Sequence, residues 1–377
     1  MGTPEFSVPS LDALVRNGYQ VVLAVTQKDK PRDRGREIKL PAVKEYALAA
    51  GIPVLQPERL NREPEMVDAI REVKPDLLVT CAFGQILPKS LLDIPVFGTI
   101  NVHASLLPAL RGAAPIQWAI INGERETGIT TMHTDIGLDT GEMLLKEIVE
   151  IPDDMTAGEL HDMLSVVGAA TLIKTLHALE AGTLHHSRQD ESCATYAPRF
   201  TKEMGQIDWK KSAWEIHNLV RGTDPWPGAY TPYQGGMLRI IRTEPAPRIE
   251  KELPSDRASS PSAGTVLSAD TILSADTGLS AGTVLSADTI LSADTILSAD
   301  TVLSAGKVVS TGAVLSAGTL PFPGTILSAG QDGLMVQTGH GVLRILEIQM
   351  PSSRKMSVGH YLNGHTIEVG TVLGDDS

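Results

Sequence analysis

The chain has 377 residues, 42% of them hydrophobic, and a formal charge of -13, which is enough apolar material for a large core and enough length for two domains. Two cysteines, Cys81 and Cys193, exclude a disulfide framework. The net charge excludes a uniformly basic nucleic-acid coat, so any grip on phosphate has to be local.

The opening Gly2-Thr3-Pro4-Glu5-Phe6 is neither a dinucleotide fingerprint nor a Walker loop, which disfavours nicotinamide and ATP chemistry. Ser10 to Arg16 reads as a helix and Val21 to Val25 as a buried strand. From Lys28 to Lys39 cations outnumber acids about two to one, and Pro31 and Gly35 keep the run out of a helix, so it reads as an exposed basic loop. Val67 to Val73 is a predicted helix and Asp76 to Thr80 a predicted buried strand, with Cys81 a packed thiol. Alternation of this kind predicts an α/β fold with a doubly wound, mostly parallel sheet. No secretory layout opens the chain and no long apolar run crosses it, so a cytoplasmic protein with no membrane association is expected.

Thr99-Ile100-Asn101-Val102-His103 is a compact, β-branched strand end, where residues two apart share a face. Asn101 and His103 therefore point the same way. The Ser105-Leu106-Leu107-Pro108 turn follows and can present backbone groups beside them. A later loop, Leu138-Asp139-Thr140-Gly141, can return Asp139 to the imidazole. Amide, imidazole and carboxylate are then an oxyanion donor, a base and an acid around one small acyl group. Each residue alone has an ordinary reading: Asn101 as a backbone satisfier, His103 as a core histidine, Asp139 as a turn former. His133, in a strand from Thr130 to Thr134, and His185-His186 lack further ligands at metal-binding spacing, so no metal is expected.

After Asp154 a long helix is marked by the capping box Thr156 to Glu159 and stopped near Gly182. The expected division is 1–189 for a catalytic domain, 190–205 for a linker, and 206–377 for a C-terminal domain interrupted by an insertion at 246–323. In the second domain Ser212 to Glu215 is another capping box, and Leu238 to Arg242, Gly333 to Thr338 and Gly341 to Leu346 read as short strands. Lys202, Lys210, Lys211, Arg221 and Arg239 form a second cationic set. From Val266 to Leu327 an aliphatic position recurs every six residues, giving about eleven units. A narrow β-helix fits an even period, but one glycine unit and the Pro321-Phe322-Pro323 break favour a flexible loop.

Beyond these patterns the chain resembles the folate-dependent formyltransferases. The resemblance rests on Gly2 to Phe6, Gln27 and the basic run after it, Asn101 to His103, Ser105 to Pro108, Arg111 to Gln117, Glu126 to Thr130, Leu138 to Leu144 and Asp224 to Pro227. It implies a Rossmann-like catalytic domain, a small OB-like β-barrel domain for tRNA, and a monomer. It implies 10-formyltetrahydrofolate as formyl donor, with Ser105, Leu106, Leu107 and Pro108 as its contacts. The implied acceptor is the α-amino group of methionine on initiator tRNA, with Arg32, Arg34, Arg36 and Lys39 in a loop entering the acceptor end. Asn101, His103 and Asp139 are the implied catalytic residues. In that family a short hydrophobic strand precedes the Gly2 to Phe6 motif, so the coding start is expected upstream of Met1. Formylation of an amino-sugar nucleotide, or a non-catalytic RNA-binding role, are the competing functions.

Overall fold

The computed structural model describes residues 1–32, 37–245 and 321–374, and seven two-residue strands between 266 and 303. Two compact units, Met1–Thr201 and Lys202–Ser377, divide the chain.

Short aliphatic runs build the first unit's strands. Strand β1 (Ala24–Val25) pairs in parallel with β2 (Val54–Leu55), and β3 (Leu78–Cys81) pairs in parallel with β4 (Thr99–His103). The order continues through β5 (Glu126–His133) to β6 (Met143–Glu150), both joined antiparallel. The mostly parallel expectation thus holds for the β1–β2 and β3–β4 ladders and gives way from the β4–β5 ladder onward. The strand expected over Val21 to Val25 shortens to Ala24–Val25, because Val21 to Leu23 have no ladder partner.

No ladder joins β1 to β3 among the described residues. Met1 and Gly2 lie between them: the Gly2 amide donates to Val25 O at 3.0 Å, and the Cys81 amide donates to Met1 O at 3.0 Å.

One helix backs the β4–β5 pair. Ala157–Glu180 starts at a complete capping box, with Thr156 accepting from the Glu159 amide and Glu159 reaching back to the Thr156 amide. Its leucines 160, 164, 172 and 176 are buried, each stabilising by about 1.5–3 kcal/mol on the usual transfer scale. Gly168 lies where an added Cβ would stand 3.0 Å from Val102 and 3.4 Å from Ile129. A larger residue there would push the helix off the strand that carries Asn101 and His103. This helix is long and apolar enough to cross a membrane by length and composition alone, and its buried leucines make it a core helix of this unit.

The second unit is antiparallel. Its strands β7 (Ala229–Tyr233), β8 (Gly236–Pro245), β9 (Ile326–Gly330), β10 (Gly333–Gln337) and β11 (Val342–Gln349) lie in the order β7-β8-β11-β10-β9. That path is linear, with no ladder from β7 to β9 among the described residues. Helix Ala213–Gly222 opens on the predicted capping box of Ser212 and Glu215 and packs Ile216 and Val220 into a core with Trp209, Leu343 and Ile345.

In the repeat, the described two-residue strands pair in parallel at eighteen-residue steps: Val266 with Val284 and Val284 with Val302, Ile272 with Ile290, Gly278 with Ile296. The stretches between them, the Leu253 to Ser262 linker included, lie outside the described residues.

Candidate active site

The carboxyl end of β4 carries the two residues that the sequence places on one face. Asn101 sits opposite Thr80 in the parallel register, and the Thr80 hydroxyl donates to Asn101 Oδ1 at 2.9 Å. With the carbonyl end of the amide held there, the Nδ2 end is the one turned to a ligand. His103 is buried and its Nε2 is 3.0 Å from Leu110 O. A carbonyl can only accept, so Nε2 carries the proton and Nδ1 is left toward Asp139. His103 Nδ1 and Asp139 Oδ2 are 3.7 Å apart, longer than a hydrogen bond and close enough for both to reach one bound group.

Asp139 is held by its neighbours rather than by a regular element. It has a φ of 53°, a left-handed conformation that Asp tolerates better than most residues. Asp135 Oδ1 accepts from the Gly137 amide at 2.9 Å and from Thr140 Oγ1 at 2.7 Å, closing the turn. The Gly112 amide donates to Asp139 Oδ2 at 2.8 Å, which anchors the carboxylate. Gly112 is required for this approach, since its φ is 115° and a Cβ would stand 2.8 Å from Ala197 O.

A buried guanidinium braces the loop from behind. Arg111 is fully buried; its Nε and Nη2 donate to Gln189 Oε1 at 3.0 and 2.8 Å, and Nη1 and Nη2 donate to Glu191 at 2.9 and 2.8 Å. Gln189 Nε2 in turn donates to Asp139 O at 2.7 Å and Gly141 O at 2.8 Å. The same Arg111 hydrogen bonds hold the Glu191 carboxyl below the usual carboxylate range. Sequence reasoning missed Thr80, Asp135 and Gln189, and used Arg111 only as part of a resemblance.

The Ser105–Pro108 turn follows the strand that carries Asn101 and His103, and several of its polar groups bond within the protein. Ser105 and Leu107 are fully buried. The Ser105 hydroxyl donates to Ala109 O at 2.6 Å, and Ser105 O accepts from Thr130 Oγ1. Leu107 donates its amide to Thr130 Oγ1 and accepts from Lys146 Nζ, while Leu106 O and Pro108 O accept from the Ala109 and Thr195 amides. Leu106 and Pro108 are partly exposed.

Of the basic run, Lys30–Arg32 and Glu37–Lys39 form a short antiparallel ladder, so the expected loop is a hairpin at its base. Lys39 is exposed; the Arg32 side chain, and Arg34 and Arg36 altogether, lie outside the described residues. In the second cationic set, Lys202, Lys210 and Lys211 are exposed. Arg221 is buried and donates to Asn218 Oδ1, and Arg239 donates to Pro227 O, which takes both out of a free cationic surface. A cavity of about 380 Å³ lined by Gln27, Lys28, Arg59 and Gln85 lies beyond the carboxyl ends of β1 and β3. Among the described residues no cluster of His, Cys, Asp and Glu is arranged to hold a metal ion.

Comparison with known proteins identifies the family of the chain. Residues 1–176 match a family model described as formyl transferase, and residues 199–290 and 281–366 match the formyl transferase C-terminal domain. A methionyl-tRNA formyltransferase of Acetivibrio thermocellus is 45% identical over 99% of this chain and 98% of its own length. Its counterpart from Ruminiclostridium cellulolyticum is 44% identical over the same shares. In fold, the chain is similar to an N-formyltransferase of Helicobacter canadensis solved with folinic acid and dTDP-3-aminofucose, at a TM-score of 0.51 and 21% identity, covering 65% of this chain and 86% of that one. It is also similar to WlaRD, a sugar 3N-formyl transferase, at a TM-score of 0.50 and 21% identity over 66% of this chain and 85% of that one.

Proposed function

The chain belongs to the formyl transferase family and, within it, to the methionyl-tRNA formyltransferases, and from that premise we propose which residues carry the reaction and how. The enzyme moves the formyl group of 10-formyltetrahydrofolate to the α-amino group of methionyl initiator tRNA. The observation that supports the residue assignment is the 3.7 Å approach of Asp139 Oδ2 to His103 Nδ1, on the strand that also carries Asn101 two residues away.

The amine nitrogen attacks the formyl carbon, and the carbonyl oxygen takes up negative charge. Asn101 Nδ2–H donates to that oxygen, a preorganised dipole placed where charge develops. With Nε2–H committed to Leu110 O, a protonated His103 has Nδ1–H as its free donor, the second stabiliser of the oxyanion. Asp139, directly or through a water, accepts the proton that the amine loses. Collapse expels N10 of the folate, which leaves carrying a proton, and the new amide C–N bond remains. No covalent enzyme intermediate is required.

The donor fits the crevice outside the carboxyl ends of the parallel strands, the usual ligand position in such sheets, between the Gln27–Gln85 cavity and Asn101. Leu106 and Pro108 form its apolar edge. For the acceptor, Arg32, Arg34, Arg36 and Lys39 neutralise phosphates near the acceptor end, with Lys202, Lys210 and Lys211 as a second group. The second unit is an OB-like tRNA-binding module with the repeat inserted between β8 and β9. All three catalytic groups come from a single chain, which suits a cytoplasmic monomer.

The competing amino-sugar reading would use the same trio, so substrate decides between them. Purified protein incubated with 10-formyltetrahydrofolate and either methionyl-tRNA or an amino-sugar nucleotide should formylate the tRNA. Formylation of the sugar alone would replace the tRNA assignment, and formylation of neither would leave the trio a relic.

A further inference from the structure

The two ends of the basic hairpin are tied together at its base. Asp29 directly precedes Lys30, where the ladder of Lys30–Arg32 with Glu37–Lys39 begins. Lys44, 15 residues from Asp29, lies on the helix Ala42–Ala49 that follows the hairpin. Its Nζ donates to Asp29 Oδ1 at 2.9 Å, to Asp29 Oδ2 at 2.7 Å and to Gln56 Oε1 at 2.7 Å, which uses all three ammonium protons. Gln56 Nε2 donates to Asp29 Oδ1 and to Gln27 O, both at 2.8 Å, which uses both of its amide protons.

This cluster differs from the neighbouring ion pair. Lys28 and Glu58 are 54% and 70% exposed, a solvated pair of the kind that contributes little. Lys44 and Asp29 are 17% and 27% exposed and share a closed set of hydrogen bonds, whose members hold one another in place. The bonds from Gln56 and Lys44 hold the Asp29 carboxyl below the usual carboxylate range. The clamp is also fixed to the sheet. Val43 and Ala47 of the helix are buried, Ala47 in one small core with Ala24 of β1, and Gln56 adjoins β2. With its charge engaged in this way, Lys44 is not one more cation for phosphate.

We propose that Lys44 and Asp29 are positioning residues for the tRNA substrate, locking the feet of the basic hairpin to the sheet so that its cations meet the acceptor end in one place; this role rests on the reading above that the basic run binds tRNA. A hairpin fixed before binding avoids part of the ordering cost of association. The effect therefore falls on affinity for tRNA rather than on the formyl donor.

Steady-state formylation by the full chain separates position from charge. Asp29→Ala removes an acid beside the run, which by charge alone favours tRNA, yet it cuts the clamp. KM for methionyl-tRNA should rise by about tenfold and KM for the formyl donor should change by less than about twofold. Lys44→Met should give the same rise, and the two together no more than either alone, as coupled partners do. Glu45→Ala changes the charge equally, next to Lys44 and outside the clamp, and should leave KM for tRNA the same or lower it. A lower tRNA KM in Asp29→Ala, an equal rise in Glu45→Ala, or losses in the two clamp variants that multiply would overturn the proposal. Replacing Arg32, Arg34 and Arg36 together by Ala tests the reading beneath it. An unchanged tRNA KM in that variant removes the run from tRNA binding and the clamp with it, whereas a raised KM there beside an unchanged one in Asp29→Ala overturns the clamp alone.

Discussion

Asp139 Oδ2 stands 3.7 Å from His103 Nδ1 while accepting the Gly112 amide at 2.8 Å. The carboxylate is thus fixed from one side and open to a proton on the other. Its position depends on a residue far along the chain, because Gln189 holds the carbonyls of Asp139 and Gly141 and is itself held by Arg111.

Gln189 is accordingly a positioning residue. Gln189→Leu leaves two loop carbonyls and part of a buried guanidinium without partners, and should cost about 1–3 kcal/mol of stability. Steady-state kinetics should show kcat reduced by about tenfold to a hundredfold, as a displaced group far from the substrate can do, with KM for folate little changed. A loss confined to thermal stability would make Gln189 structural only.

Asn101→Ala should lower kcat by two or more orders of magnitude, the usual loss for an oxyanion donor. Thr80→Val removes the hydroxyl that holds Asn101 Oδ1 and should give a smaller loss, about tenfold, because the amide remains but can rotate. Rates for the two variants beside unchanged circular dichroism check both. A rate unchanged by Asn101→Ala removes that residue from the mechanism.

Gly112→Ala places a Cβ against Ala197 O at a φ of 115°. Strain of about 1–3 kcal/mol is expected, together with loss of turnover as the amide that anchors Asp139 moves. Denaturant midpoints and single-turnover rates should fall together; a stable, fully active variant would mean the loop holds Asp139 without this contact.

Burial pushes the Cys81 thiol up to about 11. Its pKa is raised above the unfolded value, and the protonated thiol is the form that the fold prefers. The contribution is therefore present below about pH 8.5, the unfolded thiol pKa, and is lost as pH rises toward 11. Between pH 8.5 and 11 the native protein should lose about 2–3 kcal/mol more than a Cys81→Ala variant does, on the linkage scale of 1.36 kcal/mol per pKa unit. Parallel stability curves for the two proteins would contradict this. Iodoacetamide at pH 8 should label exposed Cys193 and spare Cys81.

The alternation of Asn101 and His103 was legible because a strand's period is two, and both long capping boxes were legible because their partners lie three residues apart. What the sequence hid were contacts across long separations. Arg111 and Gln189 are 78 residues apart, and no local pattern links them. The antiparallel turn of β5 and β6 was hidden because a buried strand reads alike in either direction. The contacts of the Ser105–Pro108 turn with Thr130, Lys146 and Thr195 were hidden by separation too, since each partner lies more than twenty residues away. The six-residue period was plain, yet its eighteen-residue pairing was not.

The central claim is that Asn101, His103 and Asp139 act as one unit on one carbon. Single-turnover formyl transfer to methionyl-tRNA, measured for Asn101→Ala, His103→Ala, Asp139→Ala and the triple variant, tests it most directly. Groups that act together are strongly non-additive, so each single variant should lose most of what the triple loses. Losses that multiply independently, or a triple variant that retains the native rate, would contradict the account.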